Sequence, residues 1–264
     1  MSASLKIATI WALVVVSSAV MARKIHPFGG AGLYAVHAAQ APLLEHSSAP
    51  PEVRALLTAK CADCHSAVSQ VPVYGRFAPV SWLVERDVVE GRKAMNLSLW
   101  DTYSPDQQQT FEAKIVQKTK SHEMPLPPYR LIHWNAAITP ADLQILQRWA
   151  HEEQVADTAA ASGEGDAAIG KQVFEKRCTG CHSLTEDREG PRLKGVYGRR
   201  SGTVAGFGYS PALKQAGIVW DDASLERWLT DPDALVTGNN MDFRVAKAQE
   251  RKDLIAYFRQ GSAN

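Results

Sequence analysis

Two pentapeptides, Cys178-Thr179-Gly180-Cys181-His182 and Cys61-Ala62-Asp63-Cys64-His65, constrain this chain more than any other feature, because together they use all four of its cysteines. In C-x-x-C-H the two thiols are spaced to bond a porphyrin edge through thioethers, while the adjacent imidazole supplies the proximal ligand to iron. Competing chemistries fit less well. A zinc ribbon brings its two C-x-x-C knuckles together across roughly 15 to 20 residues, whereas Cys64 and Cys178 lie 114 positions apart. A half zinc site or a thioredoxin-like pair leaves unexplained why histidine follows at once in both copies. No cysteine remains for a disulfide or a thiolate nucleophile. The sequence therefore predicts two covalently attached haem c groups, with Cys61, Cys64, Cys178 and Cys181 as attachment points and His65 and His182 as iron ligands.

A length of 264 residues suits two domains of roughly 100 to 200 residues each. Lysine plus arginine (29) against aspartate plus glutamate (28) leaves almost no net charge, which argues against nucleic acid as a partner. The N-terminus stands apart. Lys6 precedes an uncharged run from Ile7 to Ala22, closed by Arg23-Lys24. This is the pattern of an export signal, with Val20-Met21-Ala22 as a small-residue cleavage site and Ala39-Gln40-Ala41 as a later one spoiled by Pro42. The run falls just short of the roughly 17 to 25 residues that comfortably span a bilayer, so residues 1–24 read as a cleaved signal peptide or a retained membrane anchor. Either outcome exports the body, to the periplasm of a bacterium. Residues 25–49 carry few charges and a glycine cluster and read as a flexible tether, in which His26, His37 and His46 are solvated tail histidines.

From Pro50-Pro51 onward the pattern is helical. Val53, Leu56 and Leu57 predict a short helix delivering Cys61, and Pro79 with Trp82, Leu83 and Val89 a second helix. Ser104-Pro105-Asp106-Gln107 combines an N-cap serine, a first-position proline and a capping-box glutamine, with Phe111 and Ile115 as the buried stripe that follows. Thr139-Pro140-Ala141-Asp142 repeats the device ahead of Leu143, Leu146 and Trp149. No strand-like alternation occurs. Between the two capped helices, Met124-Pro125 sits in a rigid, proline-rich loop that can present a thioether to iron. Met124 is the expected sixth ligand of the first haem, ahead of His122, His133 and Met95, and the plain alternative is that it fills the core. The residues Cys61 to Ser66, Pro79, Trp82, Gly91-Arg92, Asn96, Ser98, Trp100, Met124-Pro125, Tyr129, His133, Thr139, Asp142, Leu146 and Trp149 together resemble a bacterial haem-binding domain family with one C-x-x-C-H near its start. The resemblance covers nearly all of residues 50–151 and implies haem binding.

Residues 152–165 are small and polar, a linker composition. In residues 166–262, Gly170, Val173 and Phe174 lead to Cys178 at helical spacing, and Leu254, Tyr257 and Phe258 mark a last helix. The first and last helices are expected to cross at Gly170 and Phe174 against Leu254 and Tyr257. Gly190-Pro191, Leu193, Gly195, Gly198-Arg199, Gly206-Phe207-Gly208-Tyr209-Ser210, Ile218-Val219-Trp220 and Met241 give this segment its resemblance to class I cytochrome c of the mitochondrial or bacterial c2 type. That resemblance implies that the Pro191 carbonyl holds the His182 ring, that Arg199, Tyr209 and Trp220 bond the haem propionates, and that Met241 is the sixth ligand. Two departures stand out: the family's lysines before and within the methionine loop are here Asp233, Ala234 and Asn240, and its tyrosine near the axial sulfur is Trp228.

The fold expected is all-α, two cytochrome c-like helical domains with one covalent haem each behind an N-terminal signal or anchor. The function expected is a dihaem c-type cytochrome passing single electrons between redox partners, not an enzyme. A quinol-oxidising complex, a terminal oxidase or a photosynthetic reaction centre would be its neighbours. The alternative is a dihaem enzyme or enzyme subunit, of peroxidase or sulfur-compound dehydrogenase type, with an open first haem. Charges from Gly165 onward sum to +2 and those from Pro42 to Glu164 to −4, so neither half carries a strong single-sign field.

Overall fold

The start signals in the sequence become helix starts. In the computed structural model the Ser104 hydroxyl accepts from the Gln107 amide while the Gln107 side chain accepts from the Ser104 amide, so both halves of the capping box form. Thr139 and Asp142 exchange the equivalent pair of bonds. The structure describes residues 3–22, 24–30, 32–33, 43–45, 47–152 and 163–262. His37, His46, the site at 39–41 and linker residues 153–162 lie outside them. The chain divides into two compact units, Met1–Thr102 and Tyr103–Asn264. Among the described residues the only β-pairing is an isolated bridge between Arg200 and Val219, so the architecture is all-α.

The first unit holds helices α1 (Ala3–Ala22), α2 (Pro51–Lys60), α3 (Ala62–His65) and α4 (Val80–Ala94). Apolar side chains of α1, Trp11 and Val15 among them, are exposed. Among the described residues no helix is long and apolar enough to cross a membrane. Val53, Leu56 and Leu57 bury one face of α2, which runs directly into Cys61, as their spacing requires. Helix α4 forms where expected and buries Ser81, Glu85, Val88 and Gly91, while Trp82 and Val89 are half-buried and Leu83 is exposed. Two contacts set that packing. Gly91 lets α4 approach the haem motif so closely that a β-carbon there would lie 2.8 Å from the Cys64 carbonyl oxygen. Glu85, almost fully buried, faces the His26 ring at 3.3 Å. His26, exposed at 38% of its side chain, thus has one face against this unit and the other in solvent. Trp82 also donates from Nε1 to the Ile25 carbonyl at 2.9 Å, and Leu33 and Leu44 are buried, so parts of the stretch read as a tether pack within this unit.

The second unit holds α5 (Pro105–Lys120), α6 (Pro127–Ile132), α7 (Pro140–Glu152), α8 (Ala167–Val173), α9 (Pro211–Gln215), α10 (Asp222–Thr230), α11 (Pro232–Leu235) and α12 (Ala248–Ser262). A π-helical turn, Phe174–Cys178, continues α8 into the second haem motif. Helices α8 and α12 cross at Gly170, where a β-carbon would run into the Asp253 carbonyl and Tyr257. Phe174 packs on Tyr257 with ring centroids 5.7 Å apart, and Leu254 is fully buried. That is the crossing the glycine and the helical spacing predict. Trp220, Leu225, Trp228, Val245 and Phe258 extend the same core. The boundary at Thr102 cuts through the stretch 50–151 because α5 bonds the C-terminal segment. Arg177 meets both Asp106 (3.4 Å) and Gln109 (2.7 Å), and Lys120 meets Asp233 (2.9 Å).

Candidate functional site

In the second unit the local sequence sets the ligand geometry. The turn after the motif folds back so that the Gly190 amide donates to the Cys181 carbonyl (2.9 Å), which brings Pro191 beside His182. The His182 Nδ1 lies 2.8 Å from the Pro191 carbonyl oxygen. A carbonyl can only accept, so Nδ1 carries the proton and Nε2 is left free to ligate. Gly190 sits against the same ring with no room for a side chain. Burial pushes the His182 pKa down from its ordinary 6.5, partly offset by the Pro191 bond, so the ring stays neutral near pH 7. Burial also raises the Cys178 thiol to about 12 and the Cys181 thiol to about 11. Neither is a ready thiolate of the kind a redox or nucleophilic cysteine needs.

One cavity of about 190 Å³ gathers the residues singled out for this site: Cys178, Cys181, His182, Pro191, Arg199, Tyr209, Trp220 and Met241 all line it. Trp228 lines it too, and its Nε1 donates to the Met241 sulfur at 3.2 Å. The Met241 amide donates to Asn239, itself fully buried and bonded to Asp233, so the loop carrying the sulfur is fixed from two sides. Beside Met241, Asp242 is buried and 2.9 Å from the His151 ring at the end of α7. The Arg199 guanidinium donates to the Lys194 and Arg192 carbonyls. Burial lowers its pKa while the nearby Tyr209 raises it. Two thiols at the attachment spacing, a neutral tautomer-fixed imidazole, a hydrogen-bonded thioether and a partly desolvated guanidinium form a donor set that fits a haem with carboxylate arms.

In the first unit, α3 carries Cys64 and His65, with Cys61 as the residue just before it at the junction with α2. The His65 Nδ1 lies 3.1 Å from the Met95 carbonyl oxygen, which takes the part played by Pro191 at the other motif. Arg92 clamps the exit of the motif, donating to the Ser66 and Ala67 carbonyls. Burial lowers the His65 pKa and raises the Cys61 thiol to about 12. The donor set again fits covalent haem. Met124 belongs to the second unit, half-buried on the loop after α5, with its amide bonded to the Lys118 carbonyl.

Sequence reasoning missed four residues in these roles: Met95 with its carbonyl, Asn239, and the α5 side chains Ala113 and Gln117, which also line the cavity at Cys178 and Cys181. Only Arg92 of the first-site clamp carried a signal, through its place in the Gly91-Arg92 pair.

Comparison with known proteins matches residues 31–152 to a haem-binding domain family and residues 167–262 to a cytochrome c family. Cytochrome c of Chlamydomonas reinhardtii is 41% identical over 110 residues, which are 98% of that protein and 40% of this chain. Cytochrome c of Euglena viridis is 49% identical over 98 residues, 96% of that protein and 36% of this chain. Cytochrome c2 of Blastochloris viridis is 40% identical over 114 residues, 89% of that protein and 42% of this chain.

Proposed function

The chain belongs to the cytochrome c family, with a haem-binding domain ahead of its cytochrome c domain, and from that premise we propose that it is a dihaem electron-transfer protein of the bacterial periplasm. One observation carries the reading: Cys178, Cys181, His182 and Met241 line a single cavity, with His182 and Met241 each held by its own hydrogen bond. Haem iron, when bound, supplies a one-electron couple. The chain's residues do the rest. Cys178 and Cys181 would hold the porphyrin edge, His182 and Met241 would ligate the iron, and Arg199, Tyr209 and Trp220 would pair with the haem carboxylates, whose burial is costly unless they are paired. With no coordination position left open, such a site suits charge transfer and not substrate chemistry.

The first site is read in the same way, with Cys61 and Cys64 as attachment points, His65 as proximal ligand and Met124 as sixth ligand. Supporting it are the neutral His65 ring and the Met95 carbonyl that fixes its tautomer. Residues 1–24 act as an export signal or anchor, and a quinol-oxidising complex, a terminal oxidase or a photosynthetic reaction centre would be the partners. Haem staining after denaturing electrophoresis tests the count. The exported protein will stain, Cys61→Ser/Cys64→Ser will keep about half the stain per chain, and the four-cysteine variant will lose it all, since each motif holds its own haem covalently. Full staining of the Cys61→Ser/Cys64→Ser variant would leave one haem, on the second motif.

A further inference from the structure

The second haem motif does not face solvent on all sides; helix α5 lies along it. Thr110 occupies the space where a Gly180 side chain would go, and Ala113 and Gln117, one and two turns further on, line the cavity with Cys178 and Cys181. The cysteines mark the porphyrin edge that carries the thioethers, so α5 covers that edge. Three of its charged residues, Asp106, Lys114 and Lys120, meet opposite charge in the C-terminal segment. At its N-terminus Asp106 faces Lys176 (2.9 Å) and Arg177 (3.4 Å). At mid-helix Lys114 faces Glu189 at 3.5 Å, and the Gln117 amide donates to the Glu189 carbonyl at 3.2 Å. At its C-terminus Lys120 is bidentate on Asp233 at 2.9 and 3.0 Å. With side-chain exposures of 16% and 28%, Lys120 and Asp233 are shielded more than an ordinary surface pair.

From this arrangement we infer that α5 is a built-in docking partner of the cytochrome c segment: the thioether edge of the second haem is an intramolecular interface, closed to a separate redox protein. An isolated surface ion pair would say little, but three sites of opposite charge in register on one helix fix orientation as an electrostatically complementary interface does. The inference rests on reading Cys178–His182 as a haem attachment site; the contact itself stands on geometry alone.

Zero-length carbodiimide coupling of the full-length haem-loaded protein, followed by peptide mass analysis, tests the contact. Lys120–Asp233 and Lys114–Glu189 links will form within one molecule. Lys120→Asp will abolish the first link, and Lys120→Asp/Asp233→Lys will restore it with the partners exchanged. In parallel, the rate of electron exchange with an added single-domain cytochrome c will rise by roughly tenfold in Thr110→Arg/Lys120→Asp, within the one to three decades over which association rates vary among variants of one interface. Links only between molecules, or no links, would overturn the docked arrangement, and an unchanged exchange rate would overturn the closure. An intact mass lacking haem would instead sink the attachment reading and leave the contact in place, so the two failures are distinguishable.

Discussion

Met241→Ala will abolish the sulfur-to-iron charge-transfer absorbance of the second haem and lower its reduction potential by on the order of 0.1 V, part of the roughly 0.8 V range that axial ligation controls. The sulfur is held twice, by the Trp228 Nε1–H at 3.2 Å and through the Met241 amide on Asn239 at 2.7 Å. It is therefore presented to the cavity whether or not iron is ligated, and no other described side chain lining that cavity is a thioether. Met124→Ala should remove the corresponding signature of the first haem and leave the second unchanged. Resonance-sensitive absorbance in the near infrared and two-step redox titration check both variants. If Met124→Ala leaves the absorbance and both reduction steps untouched, the sixth ligand of the first haem lies elsewhere.

Gly170→Val is the second large effect, and it acts on the fold. At the crossing of α8 and α12 the neighbour is the main-chain carbonyl of Asp253, backed by Tyr257, so a side chain cannot be accommodated by a rotamer change. Overpacking a core costs typically about 1–3 kcal/mol, and here main chain must move, which puts the cost at or above about 3 kcal/mol. For a unit of this size that corresponds to a fall in Tm of roughly 6–12 °C. Thermal unfolding monitored by far-ultraviolet circular dichroism measures it. A shift of under about 2 °C would mean that the two helices do not cross there. Because α8 leads directly into Cys178, covalent haem incorporation should fall as well.

These two sites also mark what could be read from the chain before any coordinates. The crossing was legible because everything it needs is local: a glycine, apolar residues at helical spacing and a motif that fixes where the helix ends. The capping boxes at Ser104 and Thr139 were legible for the same reason. Helix α4 was foreseen, without its buried face. Trp82, Leu83 and Val89 mark the helix, and its packing is decided by a glycine against the Cys64 carbonyl and a buried carboxylate facing His26. Neither has an apolar signature. The seating of α5 was illegible in principle from local patterns, since Lys120 and Asp233 are 113 residues apart and a lysine on a helix reads as a solvated charge. At the candidate sites the paired cysteines, the histidines that follow them and Met241 could be named as candidates from motif and resemblance. The partners that tune them could not be named so uniformly. Pro191 was reachable through the resemblance, but the Met95 carbonyl is a main-chain atom and leaves no trace in residue identity.

On the proposed function, each half of the molecule holds a covalent haem whose iron the protein ligates on both sides. Carbon monoxide difference spectroscopy of the dithionite-reduced, full-length protein addresses this most directly, because the gas binds reduced haem iron only where a position is open or weakly held. No spectral change is expected at either haem near neutral pH. Ready uptake at both irons would contradict it, and uptake at the first alone would return that site to the enzyme alternative.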